Sequence, residues 1–354
     1  TIVIWSDLNN PSGGTIAQGS LLARGGSDGG DGGRIETSGP YLIAMPESLD
    51  LSAPRGQGGD WLLDPFNLTI FPDTSNPGGT NFSATGNDSL WTSISDDAGV
   101  RVGDIKSQLT NGSNVRLLTG QGTTDQGGNI VWQAGADLDF SRNAITNAVT
   151  TTNLTLDASG YIQLNSNITT GDGGLTLKAG AGFAEAAQGI TINMSGPLEI
   201  GTGDSRISTD GFGSPSFAAT LIGDGNLIKN GNGRLILSGN NLNWNGTSLV
   251  ESGSLRVTSA NALGSSTSST TVQSAGTLEV SGGITIAEPV ILSEGKLISL
   301  DGDNALTATL ELLGSSSVEV LQDSFTLDPS SGKAVIVNSA RDAFNSDLTY
   351  SGAG

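Results

Sequence analysis

The 354-residue chain contains neither cysteine nor histidine. Without cysteine there are no disulfides and no thiolate metal sites, so the chain is indifferent to the redox state of its compartment. Without histidine it lacks the commonest general base and the commonest metal ligand. Only 14% of its residues are charged, 5% are aromatic, and hydrophobic residues reach 35%. That is little for a thick globular core but suits a thin core extended in one dimension. No apolar run approaches the length of a bilayer span and no signal peptide is visible, so membrane insertion is not expected. Basic residues are scarce too: 15 stand against 35 acidic ones, for a net charge of −20. Such a chain repels a phosphate backbone or an anionic membrane, which argues against a nucleic-acid partner. The same acidity keeps a repetitive, strand-rich chain soluble.

Glycine is present in excess, at 53 residues, without the three-residue period of collagen. No linker-like composition divides the chain. The pattern is plainest from Leu227 to Val257, where Leu227-Ile228, Leu235-Ile236-Leu237, Leu249-Val250 and Leu255-Arg256-Val257 are separated by Gly, Asn and Ser. No run is long enough for a helix, and the breaks hold residues that tolerate left-handed backbone angles. A unit of this kind cannot bury its own apolar face. It needs a similar unit above and below, which is the logic of a solenoid.

The recurrences supply those neighbours. Leu154-Thr-Leu156 returns as Leu175-Thr-Leu177, with Ile162-Gln-Leu164 and Ile168 between them. Gly253-Ser-Leu-Arg-Val returns as Gly276-Thr-Leu-Glu-Val and again as Gly295-Lys-Leu-Ile-Ser. The outer residues of each triplet are apolar and the middle one is usually polar, as a half-buried strand requires. The expected fold is an all-β parallel β-helix, or β-solenoid, with three short strands and about 19–23 residues per coil. At about 21 residues per coil and about 4.8 Å between stacked strands, the chain makes roughly 16 coils over about 75 Å. A short helix is expected near 103–110, because Ile105 and Leu109 lie at i and i+4, Asp104 suits a helix start and Asn111-Gly112 suits an end. Residues 71–100, rich in Pro and Ser, read as an irregular insertion.

Several groups of residues invite a chemical reading. The glycine-rich run Gly25 to Gly33 resembles a phosphate cradle, but no Gly-Lys-Ser/Thr ending and no helix pattern follow. Asp28 and Asp31 could offer oxygens to calcium, yet their spacing fits neither the nonapeptide repeat nor the EF-hand loop, and a tight corner of the coil is the better reading. Asp301-Gly-Asp303-Asn304 starts like a calcium loop but has Leu306 where glycine is needed. A weak surface calcium site stays open, with no residue nominated. The carboxylate pairs Asp96-Asp97, Asp137/Asp139 and Asp301/Asp303 are the nearest to an acid–base arrangement. Leu138 between Asp137 and Asp139 would then point inward, the ordinary pattern of an exposed strand face. Trp5, Trp61, Trp91, Trp132 and Trp244 are scattered rather than striped, which favours core filling over sugar platforms. Asn-x-Ser/Thr triplets at Asn81, Asn111 and Asn245 are expected by chance in a chain this rich in those residues. Thr150-Thr151-Thr152 lacks the constant ladder that an ice-binding face requires. No catalytic, cofactor-binding or metal-ligating residue is therefore assigned, no cofactor is expected, and the chain is read as non-enzymatic.

Ordered pieces of the N-terminal half resemble a known class. Trp5-Ser6-Asp7, Gly19 to Arg24, Gly29 to Gly39, Leu51-Ser-Ala-Pro54, Gly59 to Pro65 and the run 111–119 are similar, in this order, to the filamentous-haemagglutinin class of two-partner secretion adhesins. The stretch 227–264 resembles the autotransporter-associated β-strand repeat of passenger domains. The resemblance implies a right-handed β-helix with a haemagglutinin-like part over 1–222 and an autotransporter-repeat part over 223–354. It also implies a segment of a large bacterial adhesin or extracellular fibre, located outside the cell or on its outer surface. The implied partners are an outer-membrane transporter for export, surface or matrix glycans and proteins, and further copies stacked end to end. Leu348–Gly354 aligns with the earlier Leu227–Gly233, so the polypeptide is expected to continue beyond both ends. A calcium- or carbohydrate-binding module and a β-helical polysaccharide enzyme are the alternatives.

Overall fold

The computed structural model describes residues 1–7, 14–44, 46–73, 82–84, 91–93, 97–120, 128–179, 190–192, 198–200, 204–209, 216–217, 220–327, 335–338 and 350–352. They form two compact units, Thr1–Gly196 and Pro197–Gly354. Each is built of short strands stacked in parallel, so the chain is an all-β parallel solenoid.

In the first unit one sheet stacks Ile2–Trp5, Arg34–Ser38, Asp60–Asp64, Asn114–Thr119, Leu154–Ala158 and Leu175–Ala179. Alternation decides which side chains go inside: Leu154, Leu156 and Ala158 are buried, and Leu175, Leu177 and Ala179 stack on them in register. Each buried leucine contributes about 1.5–3 kcal/mol relative to an exposed one. The recurrence of Leu154-Thr-Leu156 at Leu175 is thus a register pair. Elsewhere in this sheet Ile2 stacks on Ile35, Ile35 on Trp61, Trp61 on Val115 and Val115 on Leu154. These coils are all longer than the expected period, because the chain makes insertions between their stacked strands, and the closure entropy of an insertion grows only with the logarithm of its length.

A second sheet stacks Gly14–Ala17, Tyr41–Ala44, Asp97–Arg101, Asn67–Phe71, Ile130–Trp132, Ile162–Leu164 and Ile190–Ile192. Its spatial order is not its chain order. After Asn67–Phe71 the chain leaves the stack, forms the antiparallel pair Phe82–Ala84 with Trp91–Ser93, and returns to lay Asp97–Arg101 between two earlier strands. The helix Val102–Thr110 follows at once. It buries Val102, Ile105 and Leu109 and packs against the strands Ser48–Asp50 and Leu138–Asp139, each of which has a parallel partner on its far side. The helix therefore fills a place on the third face that a strand holds in other coils. Its N-cap Arg101 offers no side-chain bond; Asp73 accepts from Gly103 N instead, at 2.7 Å. At the other end Ser113 N donates to Gln108 O and Gly112 N to Leu109 O, with Gly112 at φ +94°, a Schellman closure.

The second unit keeps close to the expected period. Ser205, Leu227, Ser248, Thr270, Val290 and Leu310 stack on one another at nearly even spacing. Leu235, Leu255, Leu278, Leu297 and Val318 do the same on the adjoining face. Ser248–Val257 and Thr270–Ser281 run through the corner between these faces as single bent strands, with Gly253 over Gly276. A Cβ on Gly276 would lie 2.5 Å from Val250 O, and one on Gly295 would collide with Val272 O. The corner carbonyls of Asn230, Gly231 and Ser252 all accept from Lys229 Nζ, at 2.7, 2.9 and 3.1 Å. Lys229 is fully buried, and these three bonds satisfy the three donors of its ammonium.

Gly276→Ala and Gly295→Ala should each destabilise the fold by about 1–3 kcal/mol, through collision with a backbone carbonyl. Gly120→Ala, whose Cβ would meet nothing within 4 Å, should leave the melting temperature unchanged. Circular dichroism melts of the three variants check both outcomes.

Candidate functional site

The carboxylates singled out by spacing are engaged in holding coils and turns together. Asp137 Oδ1 accepts from Asn167 N, one coil on, at 2.9 Å. Asp139 Oδ1 accepts from Ser141 N and Oγ. Burial alone would raise the pKa of Asp139, but the Ser141 bonds, Lys106 and Arg142 hold it below the usual carboxylate range, which suits an ionised acceptor rather than an acid. Leu138 between the two points inward and is buried. Asp301 Oδ1 accepts from Ser281 Oγ and Gly282 N, and Asp303 Oδ1 from Ser324 Oγ at 2.7 Å. Asp96 and the Asp97 side chain lie outside the described residues.

The glycine-rich run is a packed corner. Asp31 Oδ1 accepts from Gln57 N, Gly32 N donates to Gln57 O, and a Cβ on Gly56 would strike Gly30 O. Thr150 and Thr152 are buried and donate to Phe140 O and Leu109 O, so they form no outward ladder. Trp61, Trp132 and Trp244 fill the core as expected, the last two donating from Nε1 to Ala136 O and Gly225 O. Trp5 does not: it is 63% exposed. The side chain of Trp91 lies outside the described residues, as does Asn81. Among the described residues no group of three or more acidic side chains is placed to hold a metal ion. No helix among them is long and apolar enough to cross a membrane.

What spacing missed is the outward face of the first sheet in the first unit. Register pairs place Val3, Glu36, Leu62, Arg116 and Thr155 in one outward row. Arg34, Asp60 and Asn114 form a second row, and Trp5, Ser38 and Asp64 a third. A groove of about 330 Å³ opens here, with Leu62 as its outward apolar residue and Arg34, Asp60, Asn114, Arg116 and Thr155 around it. Arg34 Nη2 pairs with Glu36 at 2.9 Å, and Arg116 Nη2 with Asp157 at 2.9 Å. Burial lifts the pKa of Asp64 to about 6, with Glu36 and Asp157 adding to the rise and Arg116 opposing it. Parity held the signal: once Ile35, Trp61 and Val115 are taken as inward, Leu62 must face outward, among charged neighbours.

Two carboxyls in the second unit were also missed. Glu279 accepts from Arg234 Nε and Nη2 and from Arg256 Nε, at 2.9, 3.1 and 2.8 Å. Burial opposes its ionisation, but the bonds from Arg234, Arg256 and Ser254 win and lower its pKa. Glu288 is in phase with the inward Ile286 and Val290, is 2% exposed, and its Oε1 has no hydrogen-bond partner. Burial pushes its pKa up to about 8, and only its own backbone N–H opposes the rise.

The two have opposite pH signatures. The raised pKa of Glu288 gives stability that is whole below about pH 4.5 and falls as pH rises to about 8. Glu288→Gln should therefore raise the melting temperature at pH 9 by on the order of 5 °C and change it little at pH 5. The lowered pKa of Glu279 gives stability that is present at neutral pH and lost as pH falls below the usual glutamate range. Glu279→Gln should cost about 1.5–3 kcal/mol at pH 7, and progressively less as pH falls below the usual glutamate range, read from denaturant midpoints.

No protein-family model matches the chain, and no curated protein matches it.

Proposed function

We propose that this chain is a non-enzymatic structural segment of a large bacterial adhesin or extracellular fibre, secreted or held on the outer cell surface. The observation that carries this reading is the use of its polar side chains. Asn114 Oδ1 accepts from Asn153 N and Asn153 Oδ1 from Gly174 N, so one row of amides ties three consecutive coils. Asn67 Oδ1 accepts from Asn129 N and Asn129 Oδ1 from Tyr161 N along a second row. Chemistry invested in coil-to-coil ties serves stiffness and display, and leaves loops and outward faces as contact surfaces. Export through an outer-membrane transporter and end-to-end association of copies belong to the same reading, by resemblance to two-partner secretion and autotransporter proteins.

Display of the chain on a non-adherent bacterium tests it. Cells carrying it should adhere to a surface or to one another at least about tenfold more than cells carrying an unrelated display scaffold, since many weak contacts act together. Equal adhesion, or release of reducing ends from polysaccharide by the purified chain, would overturn the proposal.

A further inference from the structure

The outward face of the first sheet carries more apolar surface than its place on a strand requires. In a half-buried sheet the outward positions are ordinarily polar, and further along this column they are, at Thr155 and Thr176. At Val3, Trp5 and Leu62 they are not. Leu62 is only 8% exposed, although it points outward. The long side chains of its row neighbours, Glu36 and Arg116, stand on either side of it. Val3 and Trp5, 50% and 63% exposed, extend the apolar surface along the stack from the groove.

The polar groups around these residues are mixed in sign. Each guanidinium is set against a carboxylate, Arg34 by Glu36 and Arg116 by Asp157, yet a guanidinium has five N–H donors and each of these pairs is made through Nη2 alone. Asp60 Oδ1 accepts from Asn114 Nδ2 at 3.1 Å, which fixes an acceptor and an amide side by side on the rim. Such a face offers fixed donors and acceptors around an apolar strip, with no excess of positive charge. A phosphate, sulfate or uronate would meet Glu36, Asp60 and Asp157 as well as the arginines. A hydroxyl both donates and accepts, and the C–H face of a sugar ring packs on indole or aliphatic surface.

From these observations we propose that the face running from Trp5 across Leu62 to Arg116 binds a neutral, hydroxyl-rich glycan. The assignment rests on the adhesive reading above and gives it a ligand class and a place. The chain of sugars lies across the strands, along the stack, with rings over Val3 and Trp5, the groove above Leu62 beside them, and hydroxyls bonded to Arg34, Asp60 and Arg116. Successive coils about 4.8 Å apart place these groups at intervals along the glycan.

Affinity electrophoresis of the purified chain in gels cast with dextran, mannan, galactomannan or laminarin tests the proposal, with alginate and heparin gels alongside. At least one neutral glycan should retard the chain. Trp5→Ala and Arg116→Ala should each weaken that retardation by about tenfold in association constant. Both side chains are more than half exposed, so unchanged melting curves are expected and would show that these variants fold. Leu242→Ala, an exposed leucine in the second unit, should migrate like the parent. The proposal is overturned if no neutral glycan retards the chain, if only the acidic polymers do, or if the Trp5 and Arg116 variants bind as the parent does. Adhesion by displaying cells without glycan retardation would overturn this assignment and leave the structural reading standing. Retardation without adhesion would do the reverse.

Discussion

A strand in a stacked coil has one class of partner for its backbone: the strand above and the strand below. No hairpin turn fixes the pairing, so the register between coils must be held some other way. A slip of one residue would turn every inward side chain outward. The corners supply the hold. Asn67, Asn114, Asn129, Asn153 and Asp137 each stand at or just before the start of a strand and accept, through the side chain, from a backbone N–H one coil further on. The backbone completes the pair in the other direction at several of these positions: Leu68 N donates to Asn129 O and Val115 N to Asn153 O. An amide or carboxylate ahead of an apolar residue is therefore a register mark. The second unit repeats the device with Asn226, which accepts from Thr247 N.

Once register is held at the corners, the length of chain between corners is nearly free. That is why the first unit tolerates coils of very different length and a strand laid out of order, while its inward leucines still meet. Loop closure adds little cost for each added residue, whereas a misplaced Leu63 or Leu117 would forfeit its burial. The helix Val102–Thr110 shows the same latitude, since it needs only to present an apolar stripe inward and to find donors for its last carbonyls. Ala144 N and Thr152 Oγ1 are those donors, bonding Thr110 O and Leu109 O. Latitude ends where two strands turn a corner without a loop. There the carbonyls crowd, a Cβ at Gly276 or Gly295 would collide with one of them, and the buried Lys229 gathers three more.

These conditions explain what could be foreseen from the amino acids. Recurrence was legible wherever coils are short, because Leu154 and Leu175, or Gly253 and Gly276, are both sequence repeats and register pairs. It was not legible where Asp97–Arg101 enters the stack, because no local pattern records that a later strand lies between two earlier ones. The helix was foreseen in place but not in role, since its apolar spacing says that it packs and not that it substitutes for a strand. The outward face was missed for another reason. Scanning for acid pairs close in sequence finds neighbours on one strand, whereas the groups around Leu62 come from strands as distant in the chain as Arg34–Ser38 and Asn114–Thr119. They converge only through register.

The same convergence governs acid–base character. Asp137, Asp139, Asp301 and Asp303 look available in sequence, but each is an acceptor in a tie between coils or within a turn. Glu279 and Glu288 lie close together in the chain, the first inside the Gly276-Thr-Leu-Glu-Val recurrence and the second outside it, and their pKa values move in opposite directions. The difference lies in what each meets: two arginines from earlier coils reach Glu279, while Glu288 points into an apolar interior whose in-phase neighbours are Ile286 and Val290. Desolvation acts on both, and at Glu279 the hydrogen bonds from the stacked arginines and Ser254 outweigh it. A net charge of −20 therefore says little about any one carboxyl here. On a solenoid the chemistry of a side chain is set by the residue one coil away, and that neighbour is fixed by register before any local motif has a part.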